Sequence, residues 1–454
     1  MLGVKTDSNS KRRVSGKWRW SRVSSPLVRS LAAVIVGSLI LRLASHATGQ
    51  MLQFYMGEMR ISIKTAGFVT SSFFIAELLG APIFGALSDR YGRRLFILLG
   101  PVLGAAGVQL TSVTVVIGVL VITRLLEGLS TASSIPATLG YISEATVGRP
   151  YLRARVVGLF ELTLVGGIAI GAKVAGDLWR HFDKPAVALG IKLISPAFSL
   201  NALIYIASLA VFAWGLRDFR RRAKRPERRL KGEGLGHYKR LLRSRTVWMF
   251  IPAWLAIFSI VGIWINNSAR LLTGGDRYVG QVLTGSINPT AFGNGQAALA
   301  VFFAAGLLCW SFVLGRYRKT NVMLMATFAL FAMLFTVFGL NHLQSSGSIF
   351  HYLLLGSLLI EVLALSGFTP AALTYLADVT EGFAQDRGSI MGLYSVFLGV
   401  GQLLGSASGG YFAQRNGIDG LLLLSALFGG VTAVSLLALR RQEQAPISPF
   451  PQSG

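Results

Sequence analysis

Four charged side chains stand inside long apolar runs of this 454-residue sequence, and these are the residues best placed to do chemistry. They are Arg42, Glu77, Glu127 and Glu361. Each lies roughly ten residues into its run, about 15 Å along a helix, which is near the middle of a bilayer. A charge that faced lipid at this depth would cost about 2.5–3.5 kcal/mol. We therefore expect all four to face a cavity or one another.

The acids differ in the partners that the sequence offers them. Arg42 and Glu77 can form a structural ion pair between the first two helices, which is one alternative to a role in the cavity. Glu361 has no obvious basic neighbour on its own helix, so burial favours its protonated form. Proton-coupled transport needs such a carboxyl. The alternative is a neutral, hydrogen-bonded carboxyl that serves packing.

Membrane-spanning helices must position these residues. The mean hydropathy is +0.57, only 14% of the residues are charged, and no charge stands between Arg94 and Arg124. Runs of this length predict an all-α membrane protein, and the 52 glycines suit close helix contacts. The predicted spans are 30–56, 66–88, 95–115, 118–143, 154–178, 195–216, 247–272, 296–315, 321–341, 349–376, 387–412 and 418–439.

The net charge of +25 is distributed unevenly, which argues against a nucleic-acid partner. Most of the 44 Lys and Arg fall on one side of the predicted spans, and the positive-inside rule makes that side cytoplasmic. An even number of spans then puts both termini in the cytoplasm, with the protein in the cell (inner) membrane. Segment 217–245 carries thirteen basic residues and three acids, so we expect it to meet anionic lipid headgroups.

The sequence contains an internal repeat. Segment 136–176 aligns without gaps on 370–410, and thirteen of the 41 aligned positions are identical, including Pro136/Pro370, Tyr141/Tyr375 and Gly176/Gly410. The chain is therefore predicted to be two pseudo-symmetric six-helix bundles. The predicted parts are a basic tail (1–29), the first bundle (30–216), a basic linker (217–245), the second bundle (246–440) and a C-terminal tail (441–454).

The stretch GALSDRYGRR, residues 85–94, resembles the signature loop of the major facilitator superfamily, and RLLEGLSTA (124–132) is similar to its fourth-helix motif. The resemblance is to the twelve-helix drug/proton antiporter group. It implies that the loop is part of a conformational latch between the two halves. Glu144 would be a relay acid, and the eleventh helix, which starts near Arg387, would be the facing partner. The latch residues are Gly85, Asp89, Arg90, Gly92, Arg93, Arg94, Glu144 and Arg387.

In the same family the first, fourth, seventh and tenth helices line the cavity. Three of the four charges lie on these helices, whereas Glu77 is on the second helix. The candidate proton-coupling or substrate-binding residues are Arg42, His46, Glu77, Arg124, Glu127, Asn266, Asn267, Arg270 and Glu361. Glu127 stands where the motif often has Gln, whereas Arg124 matches the Arg of the motif.

The fifth helix keeps part of the antiporter glycine motif, with Ala172 in place of Pro. Some of its glycines recur in the second half at the same spacing, which favours helix packing over a signal for the direction of transport. The predicted packing glycines are Gly158, Gly167, Gly171, Gly176, Gly392, Gly401, Gly405 and Gly410.

Together these features predict a secondary transporter that is driven by protons and exports small amphipathic drugs or metabolites, working as a monomer. The alternatives are a proton-coupled uptake symporter for a small polar nutrient and a non-transporting receptor or scaffold of the same fold. The sequence contains no motif of an enzyme, a metal site or a cofactor site, and the lone Cys309 excludes an internal disulfide.

Overall fold

A computed structural model describes residues 25–188, 190–217, 245–343, 348–379 and 387–444, which are almost entirely helical. Helices satisfy every backbone hydrogen bond internally, as a hydrocarbon environment demands. In the first half, α1 to α6 are Ser25–Glu58, Ile63–Tyr91, Arg93–Thr111, Ile117–Ala145, Pro150–Phe182 and Pro196–Gly215. In the second half, α7 to α12 are Arg245–Thr273, Pro289–Val313, Lys319–His342, Ile349–Leu365, Phe368–Val379 and Arg387–Gln444.

Within the described ranges, eleven helical stretches are long and apolar enough to cross a membrane. One stretch, Ile349–Leu376, joins α10 and α11. The last stretch, Val396–Glu443, is 48 residues long and is interrupted at Gly417, where φ is 59° and ψ is −136°. Each side of Gly417 is long enough to span a bilayer on its own, so the architecture agrees with the twelve predicted spans. The eleventh and twelfth spans are continuous in α12 apart from this break.

A small element was not predicted from the sequence. Strands β1 (Ala186–Ala188) and β2 (Ile191–Leu193) form an antiparallel hairpin between α5 and α6, with Val187 opposite Lys192. The N–H of Ile194, just after β2, donates to the carbonyl of Ser112 at the end of α3 (2.8 Å), which ties the hairpin to the bundle.

Each half has its own apolar core. One cluster draws on α1 to α6, and the other draws on α7 to α12. Three members cross over, because Ile63 packs into the second core and Ala269 and Phe292 pack into the first. The chain is thus two helical bundles joined through a shared seam.

Glycines allow equivalent helix pairs to pack closely within each half. A Cβ at Gly167 of α5 would lie 2.7 Å from the Cβ of Arg42 in α1. A Cβ at Gly401 of α12, 234 positions later, would lie 2.7 Å from the Cβ of Phe258 in α7. Real Cβ atoms need more space than this, so α5–α1 and α12–α7 pack closely only because these positions are glycine. The sequence repeat is therefore also a repeat of the packing.

Among the described residues, the closest backbone contacts between the two halves lie at one end of the bundle. We call the end that carries the α2–α3 turn the near side, and the opposite end the far side. On the far side, a Cβ at Gly410 of α12 would lie 3.0 Å from the Cα of Gly67 in α2. A Cβ at Gly176 of α5 would lie 2.9 Å from the Cα of Thr290 in α8. The far side is therefore closed along two pseudo-symmetric seams, α2–α12 and α5–α8.

Candidate functional site

A buried ion pair on α4 is the strongest chemical feature of the described residues. Arg124 Nη1 lies 2.5 Å from Glu127 Oε2, and the two side chains are only 5% and 0% exposed. The spacing of three residues puts both on one face of the helix. The guanidinium also lies over the ring of Phe73 in α2, 4.9 Å from its centroid. Glu127 Oε1 and Arg124 Nε are buried without a hydrogen-bond partner, so the pair is neutral overall but incompletely satisfied.

Arg42 of α1 contacts α5 rather than Glu77. Its Nη1 donates to the carbonyl of Phe160 in α5 (3.4 Å), and its guanidinium lies 4.4 Å from the centroid of that ring. Within the described residues no Arg42–Glu77 ion pair forms, so that alternative of the sequence analysis is wrong for this state. Glu161 and Glu77 are nevertheless near enough to interact with Arg42 electrostatically.

Glu77 and His46 face the interior of the first half. Glu77 is two helical turns after Thr70, whose hydroxyl accepts a hydrogen bond from Gln53 of α1 (2.6 Å), so both lie on the α1-facing side of α2. His46 lies within electrostatic range of Arg42 and of the Arg124 guanidinium. Five predicted cavity residues of the first half are therefore linked by electrostatic interactions: Arg42, His46, Glu77, Arg124 and Glu127.

Glu361 lies elsewhere. The hydroxyl of Thr336 in α9 donates to Glu361 Oε1 (2.7 Å), and Ser357, one turn earlier on α10, is 3.3 Å from the same hydroxyl. Glu361 Oε2 is buried without a partner. The carboxyl thus sits between α9 and α10 with a neutral donor. This arrangement matches the hydrogen-bonded packing alternative given above for Glu361, and its role in proton coupling stays a prediction.

The polar residues of α7 make hydrogen bonds and an ion pair within the second half and to the α1–α2 connection. In the described part of the chain, they do not contact the charged residues of the first half listed above. Asn266 and Asn267 donate to carbonyls one turn earlier on α7 (3.1 and 3.0 Å), and Asn267 also reaches the carbonyl of Ser406 in α12 (3.4 Å). Arg270, 3% exposed, pairs with Asp276 (2.7 Å) and donates to the carbonyl of Ile61 in the α1–α2 connection (3.4 Å). Its prediction as a cavity residue is corrected, because it lies at the far-side end of α7.

The α2–α3 turn has the geometry that its sequence demands. Gly92 has φ 108° and ψ 135°, a conformation that L-residues with side chains rarely adopt. Arg93 lies between two carboxylates, 2.5 Å from Asp89 and 2.6 Å from Glu144 of α4. Asp89, the predicted relay acid Glu144 and Arg93 therefore form one cluster.

The other predicted latch residues surround this cluster. A Cβ at Gly85 would be 3.7 Å from the Cβ of Pro136, so α2 and α4 approach closely there. Arg94 donates to the carbonyl of Ala213 at the end of α6 (3.4 Å), and Arg90 lies 5.4 Å from the ring of Tyr91. Arg387 begins α12, but its side chain lies outside the described residues. The predicted contact between Asp89 and α12 stays a prediction.

Most of the predicted packing glycines lie at close contacts. Gly171 faces α1, where an added Cβ would be 3.0 Å from the Cβ of His46, and Gly405 faces α7, 2.9 Å from the Cα of Ser259. Gly167, Gly401, Gly176 and Gly410 serve the contacts given above. Gly158 has nothing within 4 Å among the described residues, so its packing role stays a prediction. Gly392 lies outside the residues whose side-chain surroundings the structure describes.

Two further functional candidates, both glutamines, could not be identified from the sequence alone. The side chain of Gln414 in α12 accepts the N–H of Ile63 at the start of α2 (2.7 Å), and Gln50 in α1 donates to the carbonyl of Ile265 in α7 (3.3 Å). Both bonds join the two halves. Glutamine is common in ordinary polar surfaces, so only the packing reveals them.

Comparison with known proteins agrees with this architecture. The family model of the major facilitator superfamily matches residues 34–275 and 278–453. Multidrug resistance protein 1 of Bacillus subtilis is 24% identical over 364 residues, which are 78% of this chain and 82% of that protein. Tetracycline resistance protein, class C, of Escherichia coli is 32% identical over 141 residues, 30% of this chain and 35% of that protein.

Solved structures share the fold at low identity. The nucleoside transporter NupG superposes with a TM-score of 0.69 at 17% identity, covering 91% of this chain and 99% of that one. The xylose transporter XylE from E. coli, in an inward open conformation, superposes with a TM-score of 0.64 at 12% identity, covering 91% and 96%. With the family model matched along nearly the whole described chain, and with two six-helix bundles around a repeated packing pattern, the chain belongs to the major facilitator superfamily of membrane transporters.

Proposed function

We propose that the protein works by alternating access and exports small amphipathic molecules in exchange for protons. The observation that carries the proposal is the buried Arg124–Glu127 pair. A fully buried carboxylate is stable while the guanidinium is 2.5 Å away. Once Glu127 binds a proton, the guanidinium loses its counter-charge and must find another partner. Proton binding and a rearrangement around α4 are thereby coupled.

The closed far side supports alternating access. Helix seams α2–α12 and α5–α8 hold the halves together there through close backbone contacts at glycine. We place the near side in the cytoplasm, on the basis of the basic residues, and infer that closure of the far side goes with access from the cytoplasm. An exporter collects its substrate in such a state.

The relatives support the direction of transport. Multidrug resistance protein 1 covers most of this chain, and its name states resistance to several drugs. Resistance conferred by a transporter implies removal of the compound from the cell. We extend this to the present chain together with a location in the cell (inner) membrane, both termini in the cytoplasm and a monomeric state. The basic linker 217–245 would contact anionic headgroups.

We propose that the Asp89–Arg93–Glu144 cluster is one state of the latch. Asp89 is bound to Arg93 here and is 62% exposed, so it is free to change partner. In the alternative state its carboxylate would meet the start of α12, where the free N–H groups and the helix dipole favour a negative charge. Glu144 would then keep Arg93 in place.

The test is substrate-driven proton movement in inverted vesicles, with a panel of cationic drugs, sugars, nucleosides and amino acids. Glu127→Gln should abolish drug-driven proton movement while leaving substrate binding measurable, because Gln cannot exchange a proton. Glu361→Gln tests the expectation from the sequence that Glu361 carries the coupling proton. Glu443→Gln, on an exposed carboxyl at the near side, is the matched control. Normal proton coupling in Glu127→Gln would refute the proposed role of the pair.

A second candidate, an uptake symporter for a small polar nutrient, is favoured by one observation. Among the fold neighbours are transporters named for a nucleoside and for xylose, and a segment of 103 residues is 31% identical to the arabinose-proton symporter of Bacillus subtilis. The same panel separates the two functions, because a symporter would move protons with a sugar or nucleoside and in the same direction. A scaffold would show neither and would have no use for an incompletely satisfied buried charge pair.

A further inference from the structure

The far-side seam between α2 and α12 contains a hydrogen bond that joins the halves at a helix terminus. Gln414 Oε1 accepts the N–H of Ile63 (2.7 Å) and, more weakly, that of Lys64 (3.4 Å). These are the first two residues of α2, and the first N–H groups of a helix have no partner within the helix. A side chain from one half therefore caps a helix of the other half.

The ordinary cap of α2 does not replace this bond. Ser62 is the N-cap residue, and its hydroxyl accepts from the N–H of Thr65 (3.2 Å), so it leaves the N–H of Ile63 to Gln414. Ile63 is only 2% exposed, which means that its N–H is poorly placed to find water while the seam is closed. A buried N–H without a partner is costly, so the seam is more stable when Gln414 is present.

The backbones of α2 and α12 approach closely, which allows the Gln414 side chain to reach the N-terminus of α2. Gly410 lies one helical turn before Gln414, and a Cβ there would be 2.9 Å from the carbonyl oxygen of Ile63 and 3.0 Å from the Cα of Gly67. Two glycines in contact bring α12 against α2 at the distance that a glutamine side chain then spans. The cap and the glycine contact form and separate together.

Gln414 is held in position by the α7–α8 connection. Gln281 donates to the carbonyl of Asn416 (2.8 Å) and accepts the N–H of Ile418 (2.9 Å), so one amide bridges both sides of the helix break at Gly417. The hydroxyl of Tyr278 donates to the carbonyl of Gln414 itself (3.3 Å). The part of α12 just before the break at Gly417 is thereby fixed, and with it the Gln414 side chain.

We propose that Gln414 is a positioning residue for the transport cycle: it stabilises the far-side-closed state by capping α2 across the two halves, and Gln281 holds it there. This rests on the alternating access proposed above but not on proton coupling or on the substrate. Opening of the far side must break the Gln414–Ile63 bond, so its loss should shift the population towards the open state.

The test uses a reporter on the other far-side seam. In a Cys309→Ser background, Thr290→Cys places a thiol on α8, where the Thr290 hydroxyl faces the carbonyl of Gly176 (3.3 Å). Maleimide labelling of the purified protein in nanodiscs gives both faces access to the reagent, so the result does not depend on topology. Because Thr290 is on the α5–α8 seam, labelling there increases only when the halves separate, not when the Gln414 bond alone is lost.

Gln414→Ala should raise the labelling rate about two- to tenfold, which is the effect of one lost hydrogen bond on an opening equilibrium. Gln281→Ala should do the same to a smaller degree. Gln414→Glu keeps an acceptor at a helix N-terminus and should label like the parent. The control is Ser286→Ala, whose hydroxyl donates only within its own turn to Leu283 (2.8 Å).

Two results would overturn the proposal. One is parental labelling in Gln414→Ala in a folded, monodisperse protein, and the other is equal labelling in the Ala and Glu variants. The labelling needs no substrate and no gradient. If vesicle assays show no proton-coupled export but labelling follows the expected order, the proposed function fails and the role of Gln414 stands.

Discussion

Removal of one member of the Arg124–Glu127 pair should destabilise the protein more than removal of both. The two side chains are 5% and 0% exposed, so the pair belongs with buried salt bridges rather than with surface pairs worth about 0–1 kcal/mol. Unit charges about 4 Å apart attract each other by about 4 kcal/mol at an effective dielectric constant of 20. A single neutral substitution leaves the other charge buried without compensation, which typically costs about 3–5 kcal/mol.

The experiment is a double-mutant cycle with Arg124→Gln, Glu127→Gln and the variant that carries both. We expect each single variant to lose about 3 kcal/mol or more of the free energy of unfolding, and the double variant to recover at least half of the summed loss, because no charge is left buried. Unfolding in mixed micelles of SDS and mild detergent measures these differences. Transport should stay absent in all three, since stability returns in the double variant but the proton site does not.

Additive losses would refute this reasoning. If the double variant were destabilised by the sum of the single losses, the two side chains would not be energetically coupled, and the 2.5 Å contact could not have the role given to it. Recovery of both stability and proton-driven transport in the double variant would refute the coupling role while leaving the ion pair intact as a structural feature.

The remaining predictions concern the latch, the topology and the seam. Asp89→Asn should leave folding unchanged but greatly slow transport, because it removes the charge proposed to meet α12; wild-type rates in vesicles would contradict this. Tags in 217–245 and in the C-terminal tail should be accessible only from the cytoplasm, and a tag near Gly274–Gly293 only from outside, as tested with an impermeant label. Gly410→Ala should open the far side, since its Cβ would be 2.9 Å from a backbone carbonyl, whereas Gly158→Ala has nothing within 4 Å and should be neutral in the same maleimide assay.

The fold was largely predictable because its determinants are local or repeated. Apolar runs set the number of spans, and the identities between 136–176 and 370–410 indicated a duplication that reappears as equal packing of Gly167 and Gly401. The boundary inside α12 was less visible, since helix continues on both sides of Gly417 and only its backbone angles mark the break. Hydropathy reports whether a segment suits lipid, not where one helix ends and the next begins.

The site was predictable in its residues more than in its contacts. Hydropathy indicated that Glu127 and Glu361 must avoid lipid, but their partners depend on how helices distant in sequence rotate against each other. Glu361 therefore lies against Thr336, and Arg270 lies against Asp276. The second contact had a signal, because an acid follows the arginine by six residues at the end of the helix. The first had none, since Thr336 is one of many hydroxyls in an apolar helix.

The duplicated halves have diverged in what they contribute. The first half holds the buried Arg124–Glu127 pair and the Asp89–Arg93–Glu144 cluster, both made of charges. In the second half, Gly315 stands at the position equivalent to Asp89, so that loop lacks the acid a latch needs.

At the opposite end of the molecule, the second half contributes two neutral glutamines beside the Arg270–Asp276 pair. Gln414 reaches across to α2, and Gln281 secures the helix break beside it. Neutral hydrogen bonds are weaker than buried ion pairs and carry no desolvated charge, so they can break and re-form in every cycle at low cost. In the proposed cycle, the buried pair on α4 responds to a proton, and the glutamine bonds at the far-side seam break and re-form.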